Sequence, residues 1–259
     1  MGIVNVTPDS FSGDGLLSTE QAVDRALNMV RSGADIIDIG AESTRPGHST
    51  ITVEEELQRL LPVLAAVRQR TDSIISVDTT KPLVLVAAVE AGADILNSIW
   101  GLTDELLEEI GRLQIPVVLM HNKEKASYAG DVLEEVLNFL SLHAGRATAL
   151  GIKSEHVIVD PGIGFGKSAE HNLQILHSLE RLSELGYPTL LGASRKSFIG
   201  KLTARPVESR LIGTCATTAL AVAKGIDIVR VHDVAEAQDV LKVADAIVRG
   251  TRPEKWDFF

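Results

Sequence analysis

Late in the chain, the stretch TLLGASRKSFIG (189–200) sets two cations, Arg195 and Lys196, between two hydroxyls, Ser194 and Ser197. Such a group can donate to an oxyanion, and a serine in the first turn of a helix adds backbone N–H groups that attract an anion. Other apolar runs also end in polar groups: Asn5; Glu42 with Thr44, Arg45 and Pro46; Asp78; Asn97; His121 after Met120; Asp160; and Arg230 with His232. Lys196 could touch an electron-rich heteroatom or an oxyanion. Alternation along a strand puts Arg230 and His232 on one face. Each group has a plainer reading. Asp78 and Asp160 could cap the helices that follow, His232 could be a structural hydrogen-bonder, and SRKS a solvated basic loop. Lys196 could also be a Schiff-base lysine activated by burial.

Several chemistries fail on spacing. The run PGIGFGKS (161–168) lacks the first glycine of a phosphate loop, because Pro161 stands there, and Lys167 replaces the third glycine of the dinucleotide pattern. No cysteine–histidine cluster has zinc spacing, and Gly-x-Ser-x-Gly is absent. A formal charge of −10 argues against a nucleic-acid binder. It leaves room for an anionic small substrate, since local cations decide that.

The elements that must position these groups follow from periodicity. Apolar, β-branched runs at 2–6, 35–39, 74–77, 95–98, 117–120, 157–159, 189–191 and 228–231 predict eight strands, with helix-period segments between them. Ser18-x-x-Gln21 and Thr52-x-x-Glu55 have capping-box spacing, and Pro82 suits a first helical turn. Gly33, Gly92, Gly111, Gly151, Gly186 and Gly225 are predicted helix stops. Strands apolar on both faces imply a parallel sheet covered by helices. The prediction is one domain over residues 1–259, a single (β/α)8 TIM barrel, with a doubly wound open sheet as the alternative; barrels of this kind run to about 250 residues. Cys215 is the sole cysteine, expected as a buried, inert thiol. With no signal peptide or apolar run of spanning length, the expectation is a cytoplasmic protein that does not engage membranes. Because residues 1–4 already read as a strand, a missing upstream segment is also expected.

The stretches GIVNVTPDSFS (2–12), AESTRPG (41–47), SVDT (76–79), MHN (120–122), DPGIGFGK (160–167), SRKS (194–197) and RVHDV (230–234) together resemble the dihydropteroate synthases, pterin-binding barrel enzymes of folate biosynthesis. The resemblance covers almost the whole chain. It implies condensation of 6-hydroxymethyl-dihydropterin diphosphate with 4-aminobenzoate, with Mg2+ present. Asp160, Asp78 and Asn97 would read the pterin's donor edge and Lys196 its oxygen-bearing edge, with Met120 and Gly192 lining the pocket. Arg230, His232 and Asn5 would hold the diphosphate, Asn5 being the metal contact. Ser197 would hold the aminobenzoate carboxylate, while Phe11, Pro46 and Phe165 pack on its ring and Thr44 and Arg45 close over it. The catalytic set implied is Asn5, Arg45, Asp78, Lys196, Arg230 and His232.

The family pattern also implies a homodimer through the late helices; the aromatic tail with Trp256, Phe258 and Phe259 is expected to pack on its own barrel or fray, with docking on the partner subunit as the alternative. The chain departs from that pattern in the order Gly13-Asp14, in Ser98, and in the segment after Asn122. Two alternatives are a pterin-binding methyltransferase, passing methyl from a folate to a corrinoid protein, and a non-catalytic pterin-binding paralogue. The paralogue would be marked by loss of Asn5, Arg45, Lys196 or Arg230, and all four are present.

Overall fold

Alternating apolar strands and helix-period segments can bury both faces of a sheet only if helices return over it. The computed structural model describes residues 1–6, 18–42 and 50–251. The strands are β1 (Gly2–Asn5), β2 (Ile36–Gly40), β3 (Ile74–Asp78), β4 (Ile95–Ser98), β5 (Val117–Met120), β6 (Val157–Asp160), β7 (Leu190–Leu191) and β8 (Ile228–Val229). The helices are α1 (Thr19–Arg31), α2 (Val53–Arg68), α3 (Pro82–Glu90), α4 (Asp104–Leu113), α5 (Val132–Ala149), α6 (Ala169–His177), α7 (Glu180–Ser183), α8 (Ser197–Thr203), α9 (Leu211–Ala223) and α10 (Val234–Val248). Phe11, Gly13, Asp14, Thr44, Arg45, Pro46, Trp256, Phe258 and Phe259 lie outside the described residues.

Strands β1 to β6 pair in parallel and in chain order, and β7 pairs with β8. Two bridges complete the ring. Val159 meets Thr189, with the Val159 N–H donating to Pro188 O at 2.8 Å. Gly2 meets Val231, whose N–H donates to Met1 O at 2.9 Å and whose carbonyl accepts from Ile3 N at 3.0 Å. The sheet is therefore a closed eight-stranded barrel, not an open doubly wound sheet. Strand β8 stops at Val229, short of the predicted 231, and Val231 makes the separate bridge to Gly2 of β1.

Local signals account for most helix ends. Ser18 and Thr52 cap α1 and α2 by accepting from Gln21 N and Glu55 N, each at 3.2 Å. Pro82 opens α3, and glycines 33, 92, 151, 186 and 225 follow helix ends as predicted. Gly111 does not: it lies inside α4, which ends at Gln114 in the left-handed region. One interior glycine costs about 1 kcal/mol, which the Thr103 cap and the buried Leu106, Leu107 and Ile110 offset. Cys215, expected buried, is half-buried on α9, whose inward face is Thr214, Thr218, Ala221 and Val222. Burial still pushes its thiol pKa up. Among the described residues no helix is long and apolar enough to cross a membrane.

Two apolar layers result. Between strands and helices, Ile37, Ile39, Val77, Leu96, Leu119 and Val159 pack with Leu60, Leu64, Leu106, Ile110 and Leu140. Inside the ring, Ile36, Ile95, Val118, Ile158, Leu190 and Ile228 form a second cluster. Side chains two residues apart share a strand face, so the next inward positions are Asp38, Asn97, Met120, Asp160, Gly192 and Arg230. A polar layer thus sits directly above the apolar plug, at the C-terminal mouth. Leu119→Ala, which empties a fully buried site, is expected to lower unfolding free energy by about 2–5 kcal/mol in chemical denaturation.

Candidate active site

Arg230 binds the layer together. Its Nε donates to Asp38 Oδ2 at 2.7 Å, and its Nη2 reaches the same oxygen at 2.6 Å and Asp78 Oδ2 at 3.3 Å. Asn97 Nδ2 donates to Asp38 Oδ2 at 3.0 Å. An ionised carboxylate only accepts, so Asp38 holds the Asn97 amide with its Oδ1 branch turned away. Asp38 is fully buried, and Asp78, Asn97 and Asp160 nearly so. Asp38 was not among the residues singled out from the sequence. Its signal was there all the same, a lone charge in IIDIG in phase with Ile36. Two buried oxygens bear on what the layer accepts: Asp78 Oδ1 and Asp38 Oδ1 have no hydrogen-bond partner. A buried acceptor of that kind invites a donor.

Neither predicted aspartate caps a helix. Chain entry to α3 is at Lys81 without a side-chain cap, and α6 is capped by Ser168 in a full capping box with His171. Asp160 Oδ1 instead accepts from Gly162 N at 2.7 Å. Burial lifts the Asp160 carboxyl to about 6, against the Gly162 N–H and the charges of Lys196, Arg230 and Lys167. Asp78 rises to about 7, through burial first and Asp38 second, with Arg230 opposing.

The loop after β6 presses on the end of β5. A Cβ at Gly162 (φ 69) would lie 1.9 Å from His121 O, and one at Gly166 (φ 57) 2.2 Å from Lys123 O, so only glycine fits at either position. Lys167 Nζ sits between the two segments, 2.9 Å from His121 Nδ1 and donating to His121 O, Gly162 O and Phe165 O at 3.0–3.2 Å. Burial lowers Lys167 to about 7, and burial with the Lys167 charge lowers His121 to about 3. Phe165 lies under Lys196, whose Nζ is 3.9 Å from the ring centroid, a cation–π contact.

The SRKS stretch divides its work. Ser194 Oγ accepts from His232 N at 3.2 Å and lies 3.0 Å from His232 Nδ1. Arg195, at φ 56, donates from Nε to Asp233 Oδ2 at 3.0 Å. Lys196 faces Phe165, and Ser197 is the exposed first residue of α8. Arg230 reaches Asp38 and Asp78, and His232 lies against Ser194 at the neighbouring strand end. Asn5 ends β1, half-buried. Among the described residues no three His, Cys, Asp or Glu side chains are grouped as metal ligands. A separate cavity of about 1130 Å³ opens at the opposite end, against Met1, Asp35, Ile36, Asp227 and Ile228. It contains none of the polar layer, and barrel chemistry is found at the C-terminal end.

A barrel whose mouth carries buried acceptors beside Arg230 and Lys196 is built to hold a polar ring and an anion. Residues 1–232 match the family described as pterin binding enzyme, and the chain belongs to that family. Within it, the relatives that it resembles are dihydropteroate synthases. The dihydropteroate synthase of Clostridium beijerinckii is 45% identical over 253 residues, covering 96% of this chain and 94% of that protein. The crystal structure of the Clostridium difficile dihydropteroate synthase in the presence of pteroic acid superposes with a TM-score of 0.90 at 45% identity, covering 96% of this chain and 95% of the other. That of Xanthomonas albilineans with 4-aminobenzoic acid gives 0.91 at 45% identity, covering 97% and 93%.

The raised carboxyls have a signed consequence. A carboxyl whose folded pKa exceeds its unfolded value binds more protons when folded, so stability falls as pH rises between the two. For Asp160, moving from 3.8 to about 6, this amounts to about 3 kcal/mol. Asp160→Asn is therefore expected to gain up to about 3 kcal/mol over the wild type as pH rises from about 4 to about 8, read from denaturant melts. Asp38→Asn, by removing the like charge that raises Asp78, should move the Asp78 carboxyl titration to lower pH in ¹³C NMR.

Proposed function

We propose that this chain joins 6-hydroxymethyl-7,8-dihydropterin diphosphate to 4-aminobenzoate, giving 7,8-dihydropteroate and diphosphate. The observation that carries the reading is the buried acceptor layer of Asp78, Asn97 and Asp160 beside Arg230, in a chain 45% identical to a dihydropteroate synthase. Structures of such relatives with pteroic acid and 4-aminobenzoic acid support both substrates.

A pterin offers an edge of amino and ring N–H donors. Asp78 Oδ1, Asn97 Oδ1 and Asp160 accept from it, and Lys196, over Phe165, donates to the oxygen-bearing edge. Gly192 leaves room for the flat ring, since even a Cβ there would lie 3.8 Å from Asp160 Oδ2; Met120 forms an apolar wall. The bond from the pterin methylene carbon to the diphosphate oxygen breaks, and its electron pair leaves with diphosphate. The aminobenzoate nitrogen lone pair forms the new C–N bond, and the nitrogen then releases one proton. In their ionised forms Asp78 and Asp160 stabilise positive charge on the ring as diphosphate departs. Arg230, His232 and Asn5 face the leaving group. Ser197 meets the aminobenzoate carboxylate; the roles that the resemblance implies for Phe11, Thr44, Arg45 and Pro46 fall outside the described residues.

Asn5 offers one hard oxygen and no acidic cluster stands beside it among the described residues. That donor set fits a Mg2+ ion bound mainly through substrate phosphate and water. When bound, the ion neutralises charge on the diphosphate. A homodimer accords with exposed Leu202 on α8, Ile212 and Leu220 on α9, and Val243 and Ile247 on α10, an apolar face on the late side of the barrel. The cytoplasm is the compartment where such a biosynthetic step is expected.

The test is to incubate purified protein with the pterin diphosphate, Mg2+ and 4-aminobenzoate and follow dihydropteroate. Asp160→Asn replaces an acceptor by a donor facing the pterin N–H, an unsatisfied buried pair worth about 1–3 kcal/mol or more. Calorimetry should show pterin affinity falling about tenfold to a hundredfold in a folded variant. Near-normal affinity, or no dihydropteroate from the wild type, would reject the assignment.

A further inference from the structure

Lys167 is not needed by any step above, yet it is a largely enclosed cation beside the pocket. Burial lowers Lys167 to about 7, so its ammonium form is held below that pH; this form has three N–H donors and turns them on four acceptors from two chain segments: His121 O and Nδ1 at the end of β5, and Gly162 O and Phe165 O after β6. None of these is a carboxylate. Its neighbour Lys123, by contrast, makes an ion pair with Glu135 on α5. His121, depressed to about 3, is neutral, so its Nδ1 can accept the Lys167 proton while Nε2 carries the ring hydrogen.

What the ammonium holds is the pterin wall. Gly162, whose carbonyl it takes, donates its own N–H to Asp160 Oδ1. Phe165, whose carbonyl it also takes, is the ring under Lys196. The two glycines allow the segments to touch, but contact between backbone carbonyls is repulsive unless a donor lies between them. We infer that Lys167 is a positioning residue: its ammonium staples the loop after β6 to the end of β5 and so fixes Asp160 and Phe165 in the geometry that binds pterin. This role rests on the functional reading above.

The experiment has a ligand-free arm and a ligand arm. In the absence of ligand, Lys167→Met keeps the stem but removes the charge and should speed hydrogen exchange at residues 162–166 at least tenfold, leaving α1 to α4 unchanged. Calorimetry with 6-hydroxymethyl-7,8-dihydropterin should show affinity reduced tenfold or more. Lys167→Ala, as a second variant, should regain binding with millimolar ethylammonium and not with propanol, a rescue that loss of packing would not show. Unchanged exchange at 162–166 would overturn the staple. Faster exchange with pterin affinity within twofold of the wild type would overturn the positioning role. Equal rescue by propanol would overturn the role of the charge. A wild type that binds no pterin would instead reject the functional reading, and the exchange arm would still decide the staple.

Discussion

The acidic interior of this barrel depends on one guanidinium. Asp38 and Asp78 come from adjacent strands, and both lean on Arg230 from β8. Removing a carboxylate from water costs several kcal/mol even after relaxation, and two together would repel. A second cation, Lys81, does the same behind the layer, 2.5 Å from Glu42 and 2.6 Å from the buried Glu56. Even so, Asp78 is left with a raised pKa and a bare Oδ1. The neutralisation is enough to keep the barrel folded and incomplete enough to leave acceptors waiting at the mouth. Stability and recognition therefore pull the same atoms in opposite directions, the usual condition of a binding site held by a rigid scaffold.

Much of this was legible from strand periodicity. Apolar, β-branched runs between helix-period segments placed eight strands within a residue or two, and their polar ends pointed to Asp78, Asn97, Asp160 and Arg230. What escaped was long-range. Asp38 lies in mid-strand, and its importance comes from a partner 192 residues away, which no local pattern records. Lys167 could be read only against nucleotide-loop spacings, and it failed them; its carbonyl cage exists only once β5 and β6 are neighbours. Gly111 and Cys215 show the reverse error, in which a local rule was overruled by packing. A helix with three buried apolar residues runs through a glycine, and α9 turns its threonines inward rather than its cysteine.

The two tight glycines, Gly162 and Gly166, extend the same lesson to the pocket wall. Because each would drive a Cβ into a backbone carbonyl of the neighbouring segment, neither loop can shift without the other. The wall is a single body made of two loops, with Asp160 at its root and Phe165 at its tip. Precision at the mouth thus comes from backbone contact as much as from side-chain choice.

Asp38 also sets the orientation of the Asn97 amide. By taking the Asn97 Nδ2 hydrogen, it turns that amide into one more acceptor alongside Asp78 and Asp160. An array of acceptors reads where a heterocycle carries its hydrogens and not merely its outline. A lactam tautomer presents N–H groups to such an array. Its lactim form, differing only by one migrated proton, would present a ring lone pair to an oxygen and forfeit about 1–3 kcal/mol. A carboxylate buried beneath Asn97 thereby fixes which end of that amide is left to accept.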